Sequence, residues 1–189
     1  RAATAERHAH LLDEGVSTLA LEPSRDLPDE IAVLLLACHP SLPREAQVAL
    51  ALRTLGGLST PEVARALLIS EAAAAQRIVR AKREIGREGP APVREADLDA
   101  RIEAVLEVLY LVFTEGAHAT EGDAAVRATL VGDALHLASL LAASPATARP
   151  RVHALLSLMH FGASRLPARV SDLGELVLLE DQDRSLWHA

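Results

Sequence analysis

Two helix-start signals lie close together in residues 42–85 and constrain the fold more than any other feature. Ser59 with Glu62 three positions later is a capping box, in which each residue bonds a free backbone N–H of the other. Ser70 is expected to cap the next helix in the same way. Two helices separated by so short a turn predict a helix-turn-helix.

Apolar residues in this stretch recur at helical spacing. The first helix is expected from Pro43 to residue 55, ended by Gly56 and Gly57, and the third is expected to be terminated by Gly86 and residues 89–90. The expected buried stripes are Ala46, Ala49, Leu50, Leu52 and Leu55; Val63, Ala64, Leu67 and Leu68; and Ala74, Ile78, Ala81 and Ile85.

Composition favours an all-α chain. Half of the 189 residues are hydrophobic but only 2% are aromatic, so the core must consist of Leu, Ala and Val, which favours helix over sheet. The longest apolar run, residues 31–38, is too short to cross a bilayer. The single cysteine, Cys38, excludes an internal disulfide and is typical of a cytoplasmic protein, where we expect it as a buried apolar residue.

The chain is expected to contain three segments. Residues 1–26 are interpreted as the remnant of an N-terminal helix and linker, residues 27–89 as the helix-turn-helix domain, and residues 90–189 as a helical C-terminal module. Helical patterns at residues 97–114, 124–142 and 152–163 favour antiparallel helices with short loops, and a tetratricopeptide-like arrangement is an alternative. The abrupt start and end suggest a fragment of a longer protein.

Charge distinguishes these segments. Residues 44–87 contain eight Lys and Arg against four Glu, a net charge of +4, whereas residues 1–43 are net −4 and residues 88–189 are net −7. Binding to phosphates needs local positive charge, not a basic total. The basic middle therefore predicts DNA binding in a chain whose overall charge is −7.

The helix after Ser70 is the candidate DNA-binding element. Gln76, Arg77 and Arg80 can bond base edges, because Arg pairs bidentately with guanine and Gln with adenine. The later basic residues are expected to hold phosphates; these are Lys82, Arg83 and Arg87.

Residues 58–67 (LSTPEVARAL) and 70–82 (SEAAAAQRIVRAK) resemble region 4 of a sigma-70 family factor of the extracytoplasmic-function class. Residues 75–82 (AQRIVRAK), 109–116 (LYLVFTEG) and 174–185 (GELVLLEDQDRS) are similar to the group with a long helical C-terminal extension. The resemblance covers nearly the whole chain from residue 35 onward. It implies a promoter-specificity subunit of bacterial RNA polymerase.

That resemblance also implies a −35 promoter element and the polymerase β-flap as partners of region 4. It places Ala73, Ala75, Gln76, Arg77 and Arg80 on the DNA side of the recognition helix. Ala73 and Ala75 depart from the polar or basic residues common in the family, which shifts the contacts to Gln76, Arg77 and Arg80. No counterpart of region 2 is present, so this fragment is not expected to initiate transcription alone.

An acidic segment near the C-terminus leaves three interpretations open. Its residues are Asp172, Glu175, Glu180, Asp181, Asp183 and the adjacent Arg184. They could bind a hard cation, cap helices and pair with nearby arginines, or form a contact surface for the basic region or a partner. Neither this segment nor the scattered histidines have metal-ligand spacing, so we expect no metal, no cofactor and no enzymatic activity.

A second functional class stays open. The chain could be a helix-turn-helix regulator with a helical sensor domain that acts without being a polymerase subunit. In either class the acidic module is expected to regulate DNA binding, by covering the DNA face or by contacting a partner, and no membrane partner is expected.

Overall fold

A computed structural model describes residues 27–88, 95–118, 126–171 and 175–188. The described residues are all-α, as the composition predicted, apart from an isolated antiparallel bridge between Val170 and Leu176. The α-helices are α1 (Asp29–Ala37), α2 (Arg44–Thr54), α3 (Thr60–Ala66), α4 (Glu71–Glu88), α5 (Glu95–Ala117), α6 (Ala128–Ala143) and α7 (Pro150–Ala163). Two short 3₁₀ turns follow, Leu166–Ala168 and Arg184–Leu186. None of the described helices is long and apolar enough to cross a membrane.

The predicted helix-turn-helix is present as α3, a turn and α4. The turn is closed by backbone bonds from the Leu67 N–H to the Val63 carbonyl (3.1 Å) and from the Ile69 N–H to the Ala64 carbonyl (2.9 Å). The prediction that Leu68 is buried is wrong, since Leu68 is 93% exposed. The turn requires a left-handed backbone at this residue (φ 54°), which points its side chain away from the core.

Helix α4 continues past Gly86, one of its predicted C-terminal stop residues. Gly86 lies inside α4, which continues to Glu88, so the prediction that Gly86 terminates the helix is wrong. Residues 89–90, the other predicted terminators, lie outside the described residues. A single Gly costs a helix only about 1 kcal/mol relative to Ala, which the packing of α4 outweighs. The predicted stripe holds: Ala74, Ile78 and Ala81 are buried.

Helix α2 is buried on nearly every side, more than its sequence pattern indicated. Every residue from Gln47 to Leu52 is buried. The reason is that α2 packs against α4 on one side and against α5 of the C-terminal module on another. One hydrophobic core therefore contains side chains from both predicted modules.

The C-terminal helices alternate in direction. Arg149 at the start of α7 contacts Asp99 near the start of α5, with 3.1 Å between Nε and Oδ1. Between them, α6 begins near the end of α5, where the Arg127 N–H donates to the Gly116 carbonyl (2.7 Å). This up-down-up order fits the antiparallel expectation, while the tetratricopeptide-like alternative stays a prediction.

Candidate nucleic-acid interface

Side-chain caps fix the starts of both helices of the helix-turn-helix. The Ser59 N–H donates to Glu62 Oε2 (2.5 Å) and the Glu62 N–H donates to Ser59 Oγ (3.3 Å), which confirms the capping box. At the start of α4, the Ala73 N–H donates to Ser70 Oγ (3.2 Å), which confirms Ser70 as its cap. These bonds define where each helix begins and therefore which face of α4 turns outward.

The outward face of α4 contains most of the predicted DNA-binding residues. Six of them are exposed: Ala75, Gln76, Arg80, Lys82, Arg83 and Arg87. Helix α4 packs against α2 and α3 through the opposite face, so the core fixes the orientation of the exposed one. Arg87 forms an ion pair with Glu84 one turn earlier. The result is a rigid, exposed, cationic helix face.

Ala73 and Arg77 lie at the flank of this face and are only half-exposed. Arg77 Nη2 lies 3.8 Å from Glu45 Oε2 at the start of α2. That contact turns the Arg77 guanidinium toward the protein rather than toward the centre of the exposed face. The sequence predicts that Arg77 bonds a base edge, whereas the structure puts its guanidinium beside the exposed face.

Val79, on the same helix, is not among the residues that the sequence pattern predicted to contact DNA. Val79 is 54% exposed and lies near the centre of the face, between Gln76 and Arg83. Its position relative to the buried Ile78 could have shown this, because successive helical residues point about 100° apart.

A buried ionic group joins the helix-turn-helix to the C-terminal module. Glu62 of α3 pairs with Arg127, which precedes α6, and Glu115 of α5 lies 3.9 Å from the same guanidinium. Burial alone would raise the pKa of Glu62, but hydrogen bonds from Ser59 and the charge of Arg127 outweigh it, so the pKa is lowered. Glu62 is therefore ionised and acts at once as a helix cap and as an inter-module partner.

Two further arginines connect the modules. Arg101 of α5 is buried and donates from Nη1 to the Leu35 carbonyl near the end of α1 (2.9 Å). Arg44 at the start of α2 donates from Nε to Glu107 Oε2 of α5 (2.9 Å). No sequence signal pointed to these pairs, because the partners lie more than sixty residues apart in the chain.

The acidic segment is exposed. Glu175, Glu180, Asp181 and Asp183 all lie on the surface, and Asp172 lies outside the described residues. Asp183 caps the last 3₁₀ turn by accepting from the Ser185 N–H (2.8 Å), and hydrogen bonds from the side chain and backbone of Ser185 lower the pKa of its carboxyl. The Arg184 guanidinium lies 5.6 Å from the centroid of the Trp187 ring, within cation–π range.

The expectation that these acids pair with arginines is not met in the part of the chain that the structure describes, where none of the four surface carboxylates forms an ion pair. Nor do residues 27–88, 95–118, 126–171 and 175–188 contain a group of three or more His, Cys, Asp or Glu placed to hold a metal ion. Cys38 is buried as expected, and burial raises the pKa of its thiol to about 12.

The helix-turn-helix segment is similar to a known protein family. Residues 32–85 match the family model described as sigma-70, region 4. This segment is therefore similar to region 4 of sigma-70 family proteins, and the match covers less than half of the chain.

The C-terminal module matches a different family model. Residues 101–189 match a family of unknown function (DUF6596). An uncharacterized protein of Rhizobium meliloti (strain 1021) is 42% identical over 180 residues, which are 93% of this chain and 42% of that protein. The chain thus spans about two fifths of the length of this curated relative. No solved structure shows a significant match to the chain.

Proposed function

We propose that this chain is the −35-binding part of a cytoplasmic, non-catalytic sigma factor of the extracytoplasmic-function class, in the group with a long helical C-terminal extension. The observation that supports it best is the exposed cationic face of α4, held outward by a core on the opposite side, within the segment similar to region 4. A helix presented in this way fits the major groove of DNA.

In this proposal Gln76 and Arg80 bond base edges and the later basic residues hold phosphates. Gln76 lies in the first half of α4, the part of a recognition helix that contacts base edges, and Arg80 follows it by about one turn. Lys82, Arg83 and Arg87 lie further along and are placed to contact the backbone. Ala73, Ala75 and Arg77 supply the rim of the interface, with Arg77 close to Glu45.

Recruitment of RNA polymerase is assigned to residues 27–89 through the β-flap, and regulation to residues 90–189. The exposure of the α4 face supports regulation through a partner rather than through covering, since the described C-terminal elements leave that face open. The acidic surface at Glu175, Glu180, Asp181 and Asp183, together with Arg184, is the proposed contact site.

The test of DNA binding is selection of duplexes from a random library, followed by measurement of affinity against salt concentration. A preferred sequence and a steep loss of affinity with salt are expected, because neutralised phosphates release counterions. Binding with no sequence preference would contradict promoter recognition.

Binding to the isolated polymerase β-flap separates this proposal from the alternative, a helix-turn-helix regulator with a helical sensor domain. Co-purification of the chain with the flap is expected. A chain that selects a DNA sequence but does not bind the flap would support the regulator instead.

A further inference from the structure

The exposed face of α4 has an apolar centre. Ala72, Gln76, Val79 and Arg83 follow one another at steps of four, three and four residues, the same steps as the core-facing stripe of Ala74, Ile78, Ala81 and the partly buried Ile85. At about 100° per residue the first set lies opposite the second, and all four of its members are exposed. Val79 therefore projects from the middle of the face that is proposed to meet DNA.

Packing within the fold gives no reason for an exposed apolar side chain at Val79. Among the described side chains of α4, Val79 is the only large apolar one that is more than half exposed. A β-branched residue at an exposed helical position also has lower helix propensity than Ala or Leu. Its neighbours on the face are Gln76, Arg80 and Arg83. Because these neighbours are polar or cationic, the face is unsuitable for packing against an apolar surface of another protein.

The major groove offers one apolar group to such a side chain. Thymine presents a C5-methyl group there, and small apolar side chains contact it, whereas Gln pairs bidentately with adenine. Val79 follows Gln76 by three residues, which is a rise of about 4.5 Å along a helix. That rise is close to the spacing of about 3.4 Å between successive base pairs.

We propose that Val79 contacts a thymine methyl group at the base pair beside the one bonded by Gln76. The promoter element would then contain adjacent A·T pairs at this point, with adenine bonded by the amide and thymine recognised by its methyl group. This specificity rests on the proposed function, because it requires α4 to lie in the major groove.

The test removes only the methyl group. In the duplex selected from a random library, each thymine is replaced in turn by deoxyuridine, and the affinity of the full chain is measured. At one position the affinity is expected to fall roughly fourfold, the effect of losing one buried methyl. Equal affinity for thymine and deoxyuridine duplexes at every position would overturn the proposal.

Variants assign the effect to Val79. V79A is expected to weaken binding to the thymine duplex by a similar factor and to abolish the difference between thymine and deoxyuridine. Q76A is the matched control on the same stripe, expected to weaken binding while the methyl effect remains. A methyl effect that persists unchanged in V79A would also overturn the assignment.

The experiment separates this inference from the proposed function. Sequence-selective binding without a methyl effect removes the role of Val79 and leaves promoter recognition intact. Absence of any selected sequence removes both. Because the deoxyuridine measurement uses the unaltered protein, a variant that failed to fold would not affect the first arm of the test.

Discussion

Helices α2 and α4 lie side by side in the segment similar to region 4, yet their surroundings differ sharply. Residues 47–52 of α2 are all buried, whereas α4 buries a single stripe and leaves a cationic face exposed. The difference comes from α5, because α2 packs against α5 in addition to α4. The described part of the C-terminal module thus completes the core of the helix-turn-helix segment and leaves the cationic face of α4 exposed.

Gly56 shows how tightly the modules approach at the end of α2. A Cβ at Gly56 would lie 2.8 Å from Val112 Cγ2 of α5 and 2.7 Å from the Leu52 carbonyl oxygen, closer than atoms in contact can come. The next residue, Gly57, has a left-handed backbone (φ 64°) in open space. Gly56 therefore allows close packing between the modules, and Gly57 allows the left-handed backbone of the turn.

The largest expected effect is a loss of stability when the shared core is disrupted at α5. Leu109 is buried and borders a small cavity together with Leu34 of α1 and Leu55 at the end of α2. L109A should lower the free energy of unfolding by about 2–5 kcal/mol, measured by urea denaturation. L179A, at a half-exposed leucine, is the control and should change it by less than about 0.5 kcal/mol. An unchanged free energy of unfolding in L109A would contradict a core that depends on packing against α5.

The ionic link between α3 and the C-terminal module gives the next effect. E62Q should cost about 1.5–3 kcal/mol of stability at pH 7, because the neutral amide removes the carboxylate that bonds Arg127 and leaves only the more distant Glu115, at 3.9 Å, as its buried acid. Since the folded-state pKa of Glu62 is lowered, its stabilisation is fully present above the unfolded value of 4.5 and is lost as pH falls through the folded value. Denaturation curves of both proteins should converge in acid. A difference that stays constant with pH would rule out this cause.

R80A tests whether the exposed face of α4 contacts bases or phosphates. If Arg80 bonds a base, affinity for the selected duplex should fall by about 1–3 kcal/mol, with little change for unrelated duplexes. An equal loss on all sequences would assign Arg80 to phosphate. R165A removes an exposed arginine from the C-terminal module and should leave DNA affinity unchanged.

The smallest effect concerns the contact between the two compared helices. Glu45 of α2 and Arg77 of α4 form a long, mostly exposed ion pair, so E45Q should change stability by less than about 0.5 kcal/mol. Removing the acid from the rim should strengthen DNA binding at low salt and have little effect at high salt, where surface charges are screened. Weaker binding at low salt would show that Glu45 is needed to orient Arg77.

Local signals in the sequence predicted the helix-turn-helix well. The capping box at Ser59 and Glu62, the cap at Ser70 and the stripe through Ala74, Ile78 and Ala81 are all present as expected. Each depends on residues three or four positions apart, so the pattern is visible without a fold. Leu68 was misplaced because a left-handed turn residue interrupts helical periodicity.

Contacts between distant residues were decided by the tertiary structure alone. Arg127 beside Glu62, Arg101 at the Leu35 carbonyl and the burial of α2 by α5 bring together parts of the chain with no shared local pattern. The sequence by itself determined where the helices begin and which charges α4 displays, because caps and periodicity are local. Which helix faces are covered depended on the packing of helices far apart in the chain, and among the described residues that packing leaves the cationic face of α4 open.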